Sequence, residues 1–235
     1  MKANNIFMFW DEGLENSPYV VKRCERSWVE KNPSYNFIFL DKQNVKKYID
    51  LEWLRSSKVP ITKQAFSDIL RITLLKKYGG IWVDATCYCN KPLNSWLHKH
   101  CFSNMFAFSN PTNLRASASW FLYCEENNIL INKWEEKTRE FWTNRSEPYQ
   151  YFWFHSLFND IIKEEKYLNM WNKNVAIECG VDLNYGPHRF VPYQKSFTTK
   201  DDALENLKSP VYKLSWKHKL KKESSVYSLL NRSIS

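Results

Sequence analysis

A lone carboxylate, Asp84, ends a short run of β-forming residues in the stretch KKYGGIWVDATCYCNKPL (residues 76–93). An unpaired charge at the end of a buried strand costs about several kcal/mol, so we expect Asp84 to have a partner. Asp68 and Arg71 lie on the preceding predicted helix, three residues apart and therefore on one face. A local ion pair is the simpler interpretation. If both face the strand end, two carboxylates and a guanidinium meet there, which suits binding of sugar hydroxyls or a diphosphate.

Alternating strand and helix patterns must position these residues. Apolar runs predict strands at 5–10, 36–41 and 81–85, and apolar periodicity predicts helices at 17–33 and 61–80. In the first helix Ser17 is the expected N-cap. In the second, Thr62 is the expected N-cap and Gly79 the expected end. This order predicts an α/β fold with a parallel sheet whose strand ends form a ligand crevice.

The rest of the chain has looser patterns. A further strand is predicted at 104–110, a helix at 129–142 and an aromatic-rich helix at 149–165. We find no internal repeat, low-complexity segment or long linker. The sequence therefore predicts one domain with a helical C-terminal half.

Composition and charge narrow the class of protein. The 235 residues, 43% hydrophobic, suffice for one sizeable core, and the net charge of +9 suits nucleic acid, an anionic membrane surface or a phosphorylated substrate. Positive charge concentrates in residues 213–225, but no nucleic-acid-binding motif accompanies it, so we do not expect nucleic acid as a partner. No apolar run is long enough for a membrane span or a signal peptide, so we expect a cytoplasmic protein.

The six cysteines fit that compartment as reduced core or strand residues. A cluster of cysteines and histidines has spacing that matches none of the common zinc patterns, and we interpret it as structural. Its members are Cys87, Cys89, His98, His100 and Cys101.

SDILRITLLKKYGGIWVDAT (67–86), together with the preceding residues 8–41, resembles the capsular polysaccharide synthesis proteins. These are relatives of the glycosyltransferases that have a sugar-binding DXD region. The resemblance is strong over residues 5–95 and weaker at 151–160 and 209–217. It is specific as a block because it joins a helix, a Gly-Gly stop and a strand in a fixed order.

The resemblance implies a GT-A type glycosyltransferase with a Rossmann-like nucleotide-binding sheet flanked by helices. The expected reaction moves a sugar from a nucleotide diphosphate donor, a UDP-sugar, to a growing surface or capsular polysaccharide, with retention. One domain, 1–235, would comprise a nucleotide-sugar-binding α/β half, 1–110, and a mostly helical acceptor-side half, 111–235, with a basic C-terminal loop.

The resemblance also implies roles for residues at the strand end. Asp68 and Arg71 would hold the donor sugar, while Asp84, with Ala85 and Thr86, would face the ribose, the sugar or a metal.

Two further regions would complete the donor site. Trp10 could stack on the base, although plain core packing fits it equally. Ser215, Trp216 and Lys217 would belong to a loop that closes over the diphosphate, although Lys217 could simply be a solvated lysine.

One departure from the family pattern concerns the metal. Thr86 stands where the fuller motif has a second aspartate. A single carboxylate binds a hard cation weakly, so we expect Mn²⁺ or Mg²⁺ bound only with the donor, or none, with Asp84 and His218 as ligands. Lys213 and Lys217, with His218, would share in neutralising the leaving group.

Retention would need no general base. If transfer inverted instead, His155 or Asp160 in the aromatic helix would have to activate the acceptor hydroxyl. The expected acceptor is a saccharide or a lipid-linked oligosaccharide, which would place the protein at the inner face of a membrane as a peripheral protein. The alternative is a catalytically degenerate protein that binds nucleotide sugars or glycans.

Overall fold

The computed structural model describes residues 4–179, 187 and 208–217. Strands and helices alternate along the first half. The strands are β1 (Asn5–Phe9), β2 (Asn36–Leu40), β3 (Gly80–Asp84), β4 (Cys87–Cys89), β5 (Met105–Thr112), β6 (Arg115–Cys124) and β7 (Val211–Lys213). The α-helices are α1 (Tyr19–Lys31), α2 (Lys63–Tyr78), α3 (Ile129–Trp142), α4 (Trp153–Ile161) and α5 (Glu165–Asn172).

The main sheet is mixed and has the strand order β2-β1-β3-β6-β5. Strand β1 runs parallel to β2 and β3, whereas β6 runs antiparallel to β3 and to β5. The expected parallel sheet is therefore wrong beyond the first three strands. Residues 113–114 join β5 to β6, and so short a loop permits only an antiparallel pair. Among its described residues, the half from residue 111 supplies three α-helices but also β6, which lies inside the sheet.

Helix α2 follows its sequence signals closely. Thr62 Oγ1 accepts a hydrogen bond from the Ala65 amide at 3.2 Å, and Gly79, with φ of +60°, follows the last turn. Gly80 also has positive φ, and a Cβ there would lie 2.5 Å from the Asn5 carbonyl oxygen. The Gly-Gly stop thus lets β3 start at once against β1, which places Asp84 at the carboxyl edge of the sheet beside Phe9.

Helix α1 begins differently from expectation. Pro18 is its N-cap residue and has no side-chain capping bond, while the Ser17 hydroxyl donates to the Leu14 carbonyl at 2.7 Å. The apolar face of α1, which includes Val21, Cys24 and Trp28, is buried.

Helices cover both faces of the sheet. Phe7, Phe9 and Trp82 pack on one face with residues of α2, α3 and α4. Met8 and Val83 point to the opposite face, in the cluster that contains Trp28. The molecule is therefore a mixed α/β protein with a central sheet. Within the described ranges, none of the helices is both long and apolar enough to cross a membrane.

Candidate active site at the carboxyl end of strand β3

Asp84 has three nitrogen donors around its carboxylate. Arg71 Nη2 and Trp82 Nε1 each donate to Oδ1 at 2.9 Å, and Lys213 Nζ donates to Oδ2 at 2.8 Å. About four lone-pair positions exist on a carboxylate, so most of them are occupied. The partner expected for Asp84 is thus Arg71 together with a lysine from the far end of the chain.

Arg71 links two carboxylates. Its Nη1 lies 2.7 Å from Asp68 Oδ1, its Nη2 reaches Asp84, and its side chain is only 5% exposed. The guanidinium carbon lies 5.3 Å from the centroid of the Trp82 ring. The local Asp68–Arg71 ion pair therefore exists, but it is part of a larger cluster. Because its charge is already shared between two half-buried carboxylates, Arg71 is placed to hold the cluster together rather than to reach a ligand.

Lys213 arrives from strand β7. This strand pairs antiparallel with β4, with Lys213 opposite Cys87, and the Leu214 amide donates to the Thr86 carbonyl at 2.8 Å. The ladder brings the Lys213 ammonium to Asp84 and to Thr86 Oγ1, which it reaches at 2.9 Å. Sequence reasoning placed Lys213 among the leaving-group cations but missed its contact with Asp84. No local signal could have found a contact across 129 positions.

The charges in this cluster are shifted by burial and by one another. Burial alone would raise the pKa of Asp84, but Lys213 and Arg71 hold it well below its usual range. Burial raises the pKa of Asp68 to about 7, further than Arg71 can lower it, and the charge of Asp84 adds to the rise. Burial alone would lower the pKa of Lys213, but Asp84 raises it above its ordinary value. At neutral pH the cluster therefore holds an ionised Asp84 between two cations.

Two predicted donor-site tryptophans meet beside this edge. Trp10 follows β1, and its ring centroid lies 5.6 Å from that of Trp216, with the ring planes at 87°. Trp216 is 49% exposed, whereas Trp10 is half-buried and also packs against the core. Base stacking and core packing thus remain compatible for Trp10.

The other predicted donor residues differ in accessibility. Ala85 and Thr86 are buried, and the Thr86 hydroxyl is occupied by Lys213. The Ser215 hydroxyl accepts a hydrogen bond from the Lys217 amide at 3.2 Å, and the Lys217 side chain is exposed. His218 lies outside the described residues.

The two candidate bases on α4 have different surroundings. Burial, together with the charges of Arg115 and Arg71, lowers the pKa of His155 to about 3, while Asp84 acts in the opposite direction. The charges of Arg71 and Asp84 therefore reach His155, which is neutral at pH 7. Asp160 is 64% exposed and pairs with Lys163 at 2.7 Å. His155 therefore interacts with the charges of the cluster, whereas Asp160 forms an ion pair on the surface.

The described residues do not fit a divalent cation held by Asp84. Three lone-pair positions of this carboxylate receive N–H donors, and the Thr86 hydroxyl receives Lys213. A cation here would also face the charges of Lys213 and Arg71. In the part of the chain that the structure describes, no group of three or more His, Cys, Asp or Glu side chains is arranged to hold a metal ion.

In open α/β sheets ligands bind outside the carboxyl ends of the strands, and the charged cluster around Asp84 lies at this edge of a mixed α/β fold. The family model described as "Capsular polysaccharide synthesis protein" matches residues 1–232, and the chain belongs to this family. The resemblance carried by residues 67–86 is thereby confirmed.

Curated relatives cover part of the chain. The chain is 27% identical over 163 residues to "Glycosyltransferase afumC" of Aspergillus fumigatus, and the match covers 60% of this chain and 41% of that protein. It is 25% identical over 165 residues to "O-glycosyltransferase braB" of Annulohypoxylon truncatum, covering 59% of this chain and 37% of that protein. The match thus spans about two fifths of the length of these relatives.

Among solved structures, the chain is similar to "PaToxG Glycosyltransferase", with a TM-score of 0.48 and 19% identity over 72% of this chain and 73% of that chain. A second similar structure is titled "Crystal structure of the UDP-bound glycosyltransferase domain from the YGT toxin". Its TM-score is 0.37 at 11% identity, covering 73% of this chain and 66% of that chain. Both likenesses are too distant to assign roles to residues.

Proposed function

We propose that this protein is a glycosyltransferase of GT-A type that moves a sugar from a nucleotide diphosphate donor, a UDP-sugar, to a growing surface or capsular polysaccharide. The observation that carries the proposal is the Asp68–Arg71–Asp84–Lys213 cluster at the carboxyl edge of β3. Ligands of α/β sheets bind at this edge. The family and the names of the curated relatives support the same class of reaction.

The chemistry of transfer makes this placement useful. The bond from the anomeric carbon to the diphosphate breaks with its electron pair on the leaving phosphate oxygen, while a bond to the acceptor oxygen forms. In a retaining transfer the acceptor proton passes to the departing diphosphate. The main demand on the protein is to stabilise negative charge on the leaving group, which preorganised cations in a poorly solvated site do best.

The aromatic pair supplies a place for the base. The exposed face of Trp216 and the half-buried ring of Trp10 lie at the same sheet edge as Asp84. Indole rings bind flat ring systems by stacking. We assign this pair to the nucleotide and the Asp68–Asp84 region to the donor sugar.

The stereochemical course depends on whether a base is required. Retention is the proposal, with no general base. An inverting transfer would use His155 rather than Asp160, because His155 is neutral at pH 7 and within reach of the cluster, whereas Asp160 is paired on the surface. A product of inverted configuration, shown by NMR of the anomeric proton, would reject retention.

The acceptor is proposed to be a saccharide or lipid-linked oligosaccharide at an anionic membrane surface. The net charge of +9 supports this location, because each lysine near such a surface contributes about 1 kcal/mol. Sedimentation with vesicles tests it. Binding to phosphatidylserine vesicles but not to neutral ones is expected, and equal binding to both, or to neither, would reject it.

The activity is tested with a panel of nucleotide sugars. The purified protein is incubated with UDP-, GDP- and dTDP-sugars, and slow release of the nucleoside diphosphate is measured. We expect release from one donor, abolished by Asp84→Asn and retained by Glu126→Gln, which replaces an exposed carboxylate. Donor binding without any release would instead favour the degenerate binding protein, and neither binding nor release would reject both.

A further inference from the structure

We propose that the Lys213 ammonium occupies the position of the metal in this strand-end motif and binds the donor diphosphate directly, so that donor binding needs no divalent cation. This inference rests on the proposed function, because it presumes a nucleotide diphosphate ligand. It concerns the DAT stretch, where a carboxylate and a hydroxyl both point to one lysine.

Lys213 has the donors that this role requires. A lysine ammonium has three N–H groups. Among the described residues, one N–H group reaches Asp84 Oδ2 at 2.8 Å and a second reaches Thr86 Oγ1 at 2.9 Å. The third N–H group is left for a phosphate oxygen. The two protein contacts fix the ammonium in place, so that binding a diphosphate requires no large ordering of a flexible chain.

The surroundings favour this ammonium over a free lysine on the surface. The Lys213 side chain is 19% exposed, and its backbone is held by the ladder between β4 and β7. Asp84 keeps the ammonium charged despite burial. A buried, positioned charge acts on a ligand far more strongly than a solvated one, because little water screens it.

Arg71 explains why Asp84 can hold the lysine without neutralising the site. Asp84 faces two cations, and Arg71 is in turn shared with Asp68. Since burial and the charge of Asp84 raise the pKa of Asp68 to about 7, the cluster has between no net charge and one positive charge at neutral pH. An incoming diphosphate therefore meets no excess of negative charge, although the motif contains two aspartates.

Thr86 fits this arrangement and not a metal site. A second aspartate at this position would add a negative charge and bind a divalent cation between two carboxylates. The threonine hydroxyl instead accepts one hydrogen bond from Lys213 at 2.9 Å. The threonine in place of a carboxylate and the neighbouring lysine are thus consistent with each other, because the lysine supplies the positive charge that a metal ion would otherwise provide. During transfer Lys213 remains protonated and donates a hydrogen bond to the phosphate oxygen that receives the electron pair.

Binding of nucleoside diphosphates tests this inference. The dissociation constants of UDP, GDP, ADP and dTDP are measured by calorimetry in EDTA and in 2 mM Mn²⁺, with free uridine as a phosphate-free reference for UDP. For the diphosphate that binds most tightly, we expect the dissociation constant of the wild-type protein to differ by less than about threefold between the two buffers. Lys213→Ala should weaken the binding of that diphosphate at least about 30-fold, which is about 2 kcal/mol. The affinity for the nucleoside should not change. A purely structural defect would weaken both.

Two further variants sharpen the result. Lys137→Ala, which removes a lysine from an exposed ion pair with Glu140, should bind like wild type. The double variant Lys213→Ala/Thr86→Asp should recover diphosphate binding in Mn²⁺ but not in EDTA. Circular dichroism and thermal unfolding confirm that each variant is folded, and Lys213→Arg provides a charged replacement if Lys213→Ala unfolds, with the same EDTA-insensitive binding expected.

Binding by wild type that disappears in EDTA and returns with Mn²⁺ would overturn the lysine assignment while leaving the proposed function in place. The same holds if Lys213→Ala binds diphosphate as tightly as wild type. Failure of all four diphosphates in both buffers would instead reject the proposed function itself.

Discussion

Two carboxylates in this protein each face a pair of cations, and the pairs are arranged in opposite ways. Glu135 on α3 is 1% exposed, while its partners Lys76 and Arg139 are both 42% exposed. Asp84 is 23% exposed, while its partners Arg71 and Lys213 are 5% and 19% exposed. Charge type alone therefore does not distinguish a helix-joining ion pair from a candidate ligand site.

The difference lies in where the positive charge meets solvent. Lys76 on α2 and Arg139 on α3 both reach from the surface to the buried Glu135, and the Lys76 pair joins α2 to α3. Water screens their charges, so they have little effect on a distant ligand. At β3 Arg71 is buried and Lys213 is only 19% exposed, so water screens these cations less at the sheet edge. Four variants test this contrast, from the largest expected effect to the smallest.

Arg71→Ala should lower transfer at least about a hundredfold, which is about 3 kcal/mol of lost transition-state stabilisation. Without the guanidinium, Asp68 and Asp84 would repel each other and release the Lys213 ammonium from its position. Initial rates with the active donor measure the effect. Arg139→Ala removes a guanidinium from the other pair and should change the rate less than twofold. Near-normal turnover of a folded Arg71→Ala protein would assign Arg71 to a structural ion pair only.

Asp68→Asn should alter how stability depends on pH. The folded pKa of Asp68, about 7, lies above the ordinary value of 3.8, so the native state keeps a proton that the unfolded chain loses. In the wild-type protein, the contribution of Asp68 to the free energy of unfolding therefore falls as the pH rises from about 4 to about 7. The variant should not show this decrease. The difference between a pKa of about 7 and 3.8 corresponds to about 4 kcal/mol of unfolding free energy, and we expect about 2 kcal/mol after relaxation of the site.

Urea unfolding at pH 4.5 and pH 7.5 measures this difference. His155, with a folded pKa of about 3, contributes in the opposite direction, but equally in both proteins, so it cancels when the variant is subtracted. Asp160→Asn, at an exposed aspartate, serves as the control and should follow wild type. An identical pH profile for Asp68→Asn and wild type would show that Asp68 has an ordinary pKa.

Glu135→Gln should lower the free energy of unfolding by about 1.5 to 2 kcal/mol, the lower end of the usual contribution of hydrogen bonds to a charged group. The partly exposed Lys76 and Arg139 regain water, so the loss stays moderate. Turnover of the folded protein should remain at the wild-type level. A large loss of activity without loss of stability would place the α2–α3 pair in the active site and remove the contrast.

Trp216→Ala should raise the KM for the donor about fivefold, or about 1 kcal/mol, because one stacking face is lost. The value of kcat should change less. Phe102→Ala, at another exposed aromatic residue, is the matched control. An unchanged KM would separate Trp216 from the base and leave its contact with Trp10 as a packing contact only.

Local signals in the sequence predicted the elements around the site well. Thr62 and Gly79 marked the ends of α2, and the helix at 129–142 was predicted with the bounds that the structure has. These signals act within a few residues, through caps, positive φ and apolar periodicity. Strand β6 was missed because its small residues, Ala116–Ser119, are followed by large apolar and aromatic ones, and nearly all are buried, so no polar face marks it.

The sequence by itself determined that Asp84 ends a strand directly after a Gly-Gly stop and that Asp68 and Arg71 share one helix face. Only the tertiary structure decided that Lys213 completes this group, because the contact depends on backbone hydrogen bonds between β4 and β7, which carry no side-chain signature. The same holds for the direction of β6, set by its hairpin with β5. Spacing along the chain fixes which residues can share a face, whereas pairing of distant strands fixes which charges can neutralise one another.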